Sequence, residues 1–262
     1  LIRNDRLGWL SWDTSESTVN SGYGINQWGE SKDTSGNIYE GADLQVYLNK
    51  RYYGGDTTVT CYGGFNNGTT TCPTNTLDEV AKSLIDNHIW NTGAVEPAKK
   101  SDTLAFYKAE RGTVNGKICS SGMDCNDTVT RTTEWTGYIG LPYATDWAYA
   151  SGESICETNM FAGIKSSDSF STENFSNAKC KKNNWMHYGS TLSDAFWVLS
   201  PDEGFESSAS SLVVYGIGAV YASLDGTADA HFVIPSIYLK NNVQIISGTG
   251  TSSNPYILKA GA

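Results

Sequence analysis

The sequence predicts an α+β protein in which two helices pack on antiparallel sheets and long loops are stapled by disulfides. Three observations carry this. The last third of the chain, Phe196 to Leu258, reads as short β-branched and aromatic runs (FWVLSP, SLVVYGIGAVYASL, HFVIPSIYL, VQIIS, PYIL) separated by Ser, Gly and Asp clusters. That is the pattern of consecutive antiparallel strands joined by hairpins. Two stretches upstream carry apolar residues at helical spacing. Six cysteines fall in three close pairs, each bracketing a Gly/Ser/Asn/Thr-rich segment.

Leu1 to Asp13 predicts an opening strand that breaks at Gly8 and resumes through Trp9 and Trp12. Thr14 to Gly41 is polar and predicts loop. Ala42 to Tyr53 predicts a helix with Leu44, Tyr47 and Leu48 on its apolar face. Asp43 suits its N-terminus, Lys50 and Arg51 its C-terminus, and Gly54-Gly55 stops it. Thr76 to Trp90 opens on a capping box, Thr76 with Glu79 three residues on. It aligns Leu77, Val80, Ala81, Leu84, Ile85 and Ile89 in one stripe, so a helix to Trp90 is expected. Leu104 to Arg111 fits a strand or a short helix. Tyr138 to Leu141 fits a strand, and 151–184 a long irregular excursion. Gly216 and Gly218 predict a bulge or tight bend between Val214 and Val220. The expected core joins Leu84, Ile85, Trp197, Val213 and Ile237. With no linker composition or repeat, residues 1–262 read as one domain.

Sequential pairing of the cysteines is the simplest arrangement: Cys61 with Cys72, Cys119 with Cys125, Cys156 with Cys180. Each bridge would close a local loop and contribute about 3 kcal/mol. No Cys-x-x-Cys or Cys/His spacing suits zinc. Disulfides place the chain in an oxidising, extracytoplasmic compartment.

Charge excludes one class of partner. The net charge is −10, and a nucleic acid would be repelled by the averaged field. No apolar run is long enough to span a membrane, so no direct membrane insertion by this segment is expected. The chain opens Leu1-Ile2-Arg3 without an initiator Met, from which an upstream anchor is expected. The histidines are His88, His187 and His231, and no Gly-x-Ser-x-Gly elbow accompanies them. Asp202, Glu203 and Glu206 fit a solvated turn after Pro201 better than a glycosidase pair. No cofactor is called for. The oxygen-rich runs at 33–37 and 124–127 leave calcium as the one candidate ion, although neither matches an EF-hand loop.

Four strings go further: IGLPYATDWAYAS at 139–151, NNW at 183–185, WVLSP at 197–201 and IPSIYLKNNVQIISGTGTSSNPYIL at 234–258. They resemble a family of bacterial cell-surface domains of unknown function with a C-type-lectin-like fold, often carried behind a pilin-like helix or another anchor. The resemblance covers nearly the whole chain and is strongest from Trp135 onward. Where that family often has Arg-Pro-Val before Ile-Tyr-Leu-Lys, this chain has Ile234-Pro235-Ser236, which removes one possible buried arginine. The calcium strings of sugar-binding C-type lectins are missing; the nearest are Ser200-Pro201-Asp202 and Asn183-Asn184-Trp185. No cysteine follows Cys180, against a thiol enzyme of the formylglycine-generating kind.

The resemblance implies a ligand face on the long loop and late hairpins: 185–190, 203–211 and 223–231. Its candidate residues are Trp185, Tyr188, Phe205, Glu206, Asp225 and His231, with aromatic rings able to anchor a partner or stack on a sugar. The expected function is a non-catalytic extracellular binding or structural module, a subunit or adhesin of a pilus-like surface appendage. Its partner would be a protein or glycan at a cell surface, or further copies of itself in a filament. The alternative is a secreted hydrolase acting on glycan or peptide.

Overall fold

A computed structural model describes residues 1–3, 5–14, 28–33, 38–39, 41–63, 68–92, 103–111, 129–130, 134–158, 181, 183–187, 194–201, 210–215, 219–226, 229–251 and 253–261. Its strands, in chain order, are β1 Gly8–Ser11, β2 Ser31–Asp33, β3 Ile38–Tyr39, β4 Cys61–Tyr62, β5 Thr69–Thr70, β6 His88–Asn91, β7 Val129–Thr130, β8 Glu134–Gly137, β9 Ile139–Gly140, β10 Phe196–Pro201, β11 Ser210–Tyr215, β12 Ala219–Gly226, β13 Ala230–Val233, β14 Ser236–Ile237, β15 Val243–Ser247 and β16 Ile257–Ala260. The helices are α1 Asp43–Val46, α2 Glu79–Leu84, α3 Thr103–Glu110, α4 Ala144–Ala150 and α5 Ser154–Thr158. The protein is thus mixed α+β, with short helices and several small sheets.

One five-stranded sheet, in the order β1-β13-β10-β11-β12, forms the centre. Its neighbours run antiparallel except β10 and β13, which are parallel at Phe196↔Phe232. In β10 the run FWVL is apolar at successive positions, and every one of its side chains is buried. A strand with that pattern is covered on both faces. Trp197 and Leu199 join Leu10, Val213 and Val233 in one cluster with Leu44, Tyr47, Leu48, Trp90 and Ile139. Phe196, Val198 and Val214 join the other, with Phe106, Trp147, Ala148 and Met186. The period-2 alternation along β10 therefore distributes its side chains between two cores.

The expected opening strand is β1, which pairs with β13 from Gly8↔Val233 to Ser11↔Ala230. β11 and β12 pair antiparallel through Val214↔Val220 and Tyr215↔Ala219, and the bulge or bend expected at Gly216 and Gly218 falls on residues outside the described ones. The first expected helix also forms, as α1 running into a π-helical segment Tyr47–Tyr53. Asn49 on that segment accepts from the backbone of Tyr138 at 3.1 Å and of Ile139 at 3.0 Å, and donates to the Ile139 carbonyl at 2.9 Å. It ties the helix to β9.

Four expectations are corrected. The helix expected over 76–90 is confined to α2: Asp78, not Thr76, caps it, accepting from the Ala81 backbone at 2.7 Å. At Ile85 the chain turns extended and enters β6, paired with β8. The stripe misleads because Val80 and Ile89 are exposed, while Ile89 and Trp90 alternate outward and inward as a strand does. Ile85, Trp197 and Val213 share a core with Ile237 against it, whereas Leu84 stays half-buried outside that core. Helices α4 and α5 were not anticipated. Asp146, at the third position of α4, accepts from the Tyr143 backbone at 2.9 Å, a carboxylate cap hidden in an aromatic string. Finally, among the described residues β15 and β16 pair with each other and not with the central sheet, exposing Ile245, Ile246, Tyr256 and Ile257.

Cys61 and Cys72 are disulfide-bonded, as the sequence predicts. Cys156 is in a disulfide whose partner lies outside the described residues, as do Cys119, Cys125 and Cys180. Among the described residues, no helix is long and apolar enough to cross a membrane.

Candidate functional site

A cleft of about 380 Å³ opens where α4, β14 and the turn at 183–187 meet. Its walls carry the rings of Trp90, Tyr143, Tyr149, Trp185 and Tyr238, with Asp146 and Ser236 as polar members. The volume and the mostly apolar lining with a few polar groups are those of a small-ligand site.

Four of these five rings are placed by an identifiable device. Trp185 sits on a tight turn. Asn183 takes a positive φ of 61°, a conformation Asn tolerates better than most residues. Buried Asn184 donates to the Trp147 carbonyl of α4 at 2.8 Å and accepts from the Met186 backbone at 2.9 Å. With Asn184 and Met186 turned inward, Trp185 is thrown out and stands 64% exposed. Trp90 is the opposite case. Its indole N–H donates to the Gly137 carbonyl at 3.0 Å, and its ring lies where a Cβ on Gly140 would fall, 2.7 Å away. Gly140 is thus required for the ring to reach the cleft. Tyr238 packs edge-on against Trp90, with centroids 4.7 Å apart, and stacks on His88 at 3.8 Å. The Tyr143 hydroxyl donates to the Asn91 carbonyl at 2.8 Å.

Beneath the cleft runs a closed polar network. The Arg111 guanidinium donates to Glu110 at 2.7 Å, to Thr145 Oγ1 at 2.8 Å and to Asp146 at 2.5 Å. It lies 3.9 Å over the Tyr143 ring and 4.3 Å over Tyr107. Thr145 and Ser200 each donate a hydroxyl to Glu110, the latter at 2.7 Å. Burial alone would lower the Arg111 pKa, but the charges of Glu110 and Asp146 raise it above its ordinary value. Glu110 has no solvent exposure, and burial pushes its carboxyl up to about 7 against the pull of Arg111 and the two hydroxyls. Burial likewise raises the Tyr143 and Tyr238 phenols. Glu110 cannot touch a ligand. Asp146, on the cleft wall and paired with Arg111, can accept hydrogen bonds from a ligand.

Of the candidate residues read from the sequence, Trp185 lies in this cleft. His231 is buried on β13, edge-on to Trp197 with centroids 4.5 Å apart, so it contributes to the core and not to an exposed aromatic face. Asp225 lies on β12, the edge strand of the central sheet. Tyr188, Phe205 and Glu206 lie outside the described residues, as do Asp202 and Glu203. The runs weighed for calcium lie outside them too, apart from Asp33. Sequence reasoning missed Asp146, Tyr149, Ser236 and Tyr238. The available signal was the density of aromatic residues in 143–149, whose helical spacing brings Asp146 and Tyr149 onto one side of α4.

Comparison of the chain with protein-family models, with curated proteins and with solved structures returns no match.

Proposed function

We propose that this chain is a non-catalytic extracellular binding module of C-type-lectin-like fold, serving as a subunit or adhesin of a bacterial surface appendage. The observation that carries the reading is the cleft. It presents an outward-held Trp185 and further aromatic walls, while Asp146 on its wall and Glu110 beneath it are both engaged by Arg111. Such a surface suits recognition, which needs rigid rings and fixed hydrogen-bonding groups. The Cys61–Cys72 bond supports an oxidising compartment. The pairing of β1 with β13, which joins the start of the chain to its late strands, supports the fold assignment.

The rival reading, a secreted hydrolase, draws on Glu110, whose raised pKa is the kind a general acid needs. Its complete burial under Thr145, Ser200 and Arg111 weighs against it. The test is to incubate the purified chain with immobilised bacterial and host-cell glycans and proteins, following retention on the solid phase and release of sugar or peptide into solution. Saturable retention without product is expected. Enzyme-dependent product release that Glu110→Gln abolishes would establish the hydrolase instead.

A further inference from the structure

We infer that the cleft between α4, β14 and the 183–187 turn binds a neutral pyranose ring, stacked on Trp185 and hydrogen-bonded through Asp146 and Ser236. This rests on the binding-module reading and names the ligand class for that site.

The lining decides the charge of the ligand. Among the described residues it includes no Lys, Arg or His side chain, and Leu1, which also lines the cleft, has its α-amino group engaged by the Ile237 carbonyl at 2.6 Å and its pKa lowered by burial, so an anionic sugar, a phosphate or a peptide carboxylate would meet mainly π faces and the Asp146 carboxylate. A cationic ligand would gain from those faces, but the one lining carboxylate already shares its charge with Arg111 at 2.5 Å. Arg111 also occupies the Tyr143 and Tyr107 rings. The cation position is therefore filled from within the chain. What remains are the exposed Trp185 ring and the half-exposed Tyr149 and Tyr238, a set suited to the flat C–H face of a sugar ring.

The polar groups agree. Each Asp146 oxygen accepts one bond from within the chain, Oδ1 from Arg111 and Oδ2 from the Tyr143 backbone. Each keeps a second acceptor site, a spacing matched by two adjacent hydroxyls of a ring. Because the carboxylate is locked by those two bonds, little entropy is lost in presenting it. Independently, Ser236 on the cleft wall is 6% exposed, and its buried hydroxyl finds no hydrogen-bond partner among the described residues. A buried hydroxyl without a partner carries a desolvation cost that a ligand hydroxyl would relieve. Stacking platform, diol acceptor and unsatisfied hydroxyl thus converge on one cleft.

The test uses the full chain with methyl glycosides of glucose, galactose, mannose and N-acetylglucosamine and their β1,4-linked disaccharides. Titration calorimetry measures binding, and tryptophan fluorescence reports on Trp185. At least one of these sugars should bind saturably and change the indole emission. Trp185→Ala should weaken it by about tenfold or more, and Ser236→Ala by about three- to tenfold. Because Trp185 is exposed, its replacement leaves the fold intact, checked by an unchanged melting temperature; Trp185→Tyr should restore part of the affinity. Two results would overturn the inference: benzyltrimethylammonium or sialic acid binding the cleft while every neutral sugar fails, or a sugar binding wild type and Trp185→Ala equally. In the second case sugar binding itself stands and the module reading survives with its site elsewhere. Glycan turnover in the same assay would instead remove the module reading.

Discussion

The central strand β10 and the C-terminal strand β15 are both short, largely apolar runs, FWVLS and VQIIS, and meet opposite fates. All five residues from Phe196 to Ser200 are buried, while Gln244 to Ser247 are exposed, Ile245 at 60%. Both are strands with antiparallel partners. What differs is what lies above and below. The α1–π segment covers one face of β10, and α3 and α4 cover the other. The β15–β16 hairpin has mainly its partner strand and a light contact from α2. β-branched composition specifies a strand; burial needs a further layer, supplied by residues far away in sequence.

The largest expected effect therefore lies in β10. Trp197→Ala should cost about 3–5 kcal/mol, because it removes a ring packed on Trp12 and His231 and a hydrogen bond to the Leu10 carbonyl. Urea denaturation measures it, and a loss below about 1 kcal/mol would mean that the two-sided core is misassigned. Breaking the Cys61–Cys72 bond as a double Ser variant should cost about 2–4 kcal/mol by releasing the loop it closes. Asn49→Ala should cost about 1–3 kcal/mol, since it strands the Tyr138 and Ile139 amides that the side chain now satisfies. At the other end, Ile245→Ser should change stability by no more than about 0.5 kcal/mol, as for other surface positions. Equal losses at Trp197 and Ile245 would erase the contrast between the two strands.

The buried network adds a dependence on pH. Glu110 titrates near 7 in the folded chain, against an ordinary value of 4.5, so folding favours its protonated form. Its stabilising contribution is full below 4.5 and is lost as pH rises through about 7. The melting temperature should fall between those values, and the fall should be smaller in Glu110→Gln. A wild type and variant with parallel profiles would show that Glu110 titrates normally.

Much of this fold was legible in the sequence because it rests on local signals. The apolar runs from Phe196 onward became β10 to β16, and the Leu44–Tyr47–Leu48 face became the buried side of the first helix. The errors arise where a local pattern fits two structures. Ile85 and Ile89 continue the stripe of α2 at helical spacing, yet the pairing of His88–Asn91 with Glu134–Gly137 decides for a strand, and that partner is remote in sequence. The cleft was legible only through Trp185. Tyr143, Asp146 and Tyr149 read as a mixed aromatic string, and Tyr238 as an ordinary strand residue. They form a site only because α4 and β14 are brought together, β14 through its pairing with β9.

The most direct measurement of the functional account is a crystal structure of the chain soaked with the best-binding neutral sugar of the panel. A pyranose ring is expected against the Trp185 indole, with one pair of hydroxyls on Asp146 and another hydroxyl within hydrogen-bond distance of Ser236. A sugar bound instead beside Asp225 or the 203–211 segment, with the cleft empty, would contradict the assignment and return the site to the late hairpins.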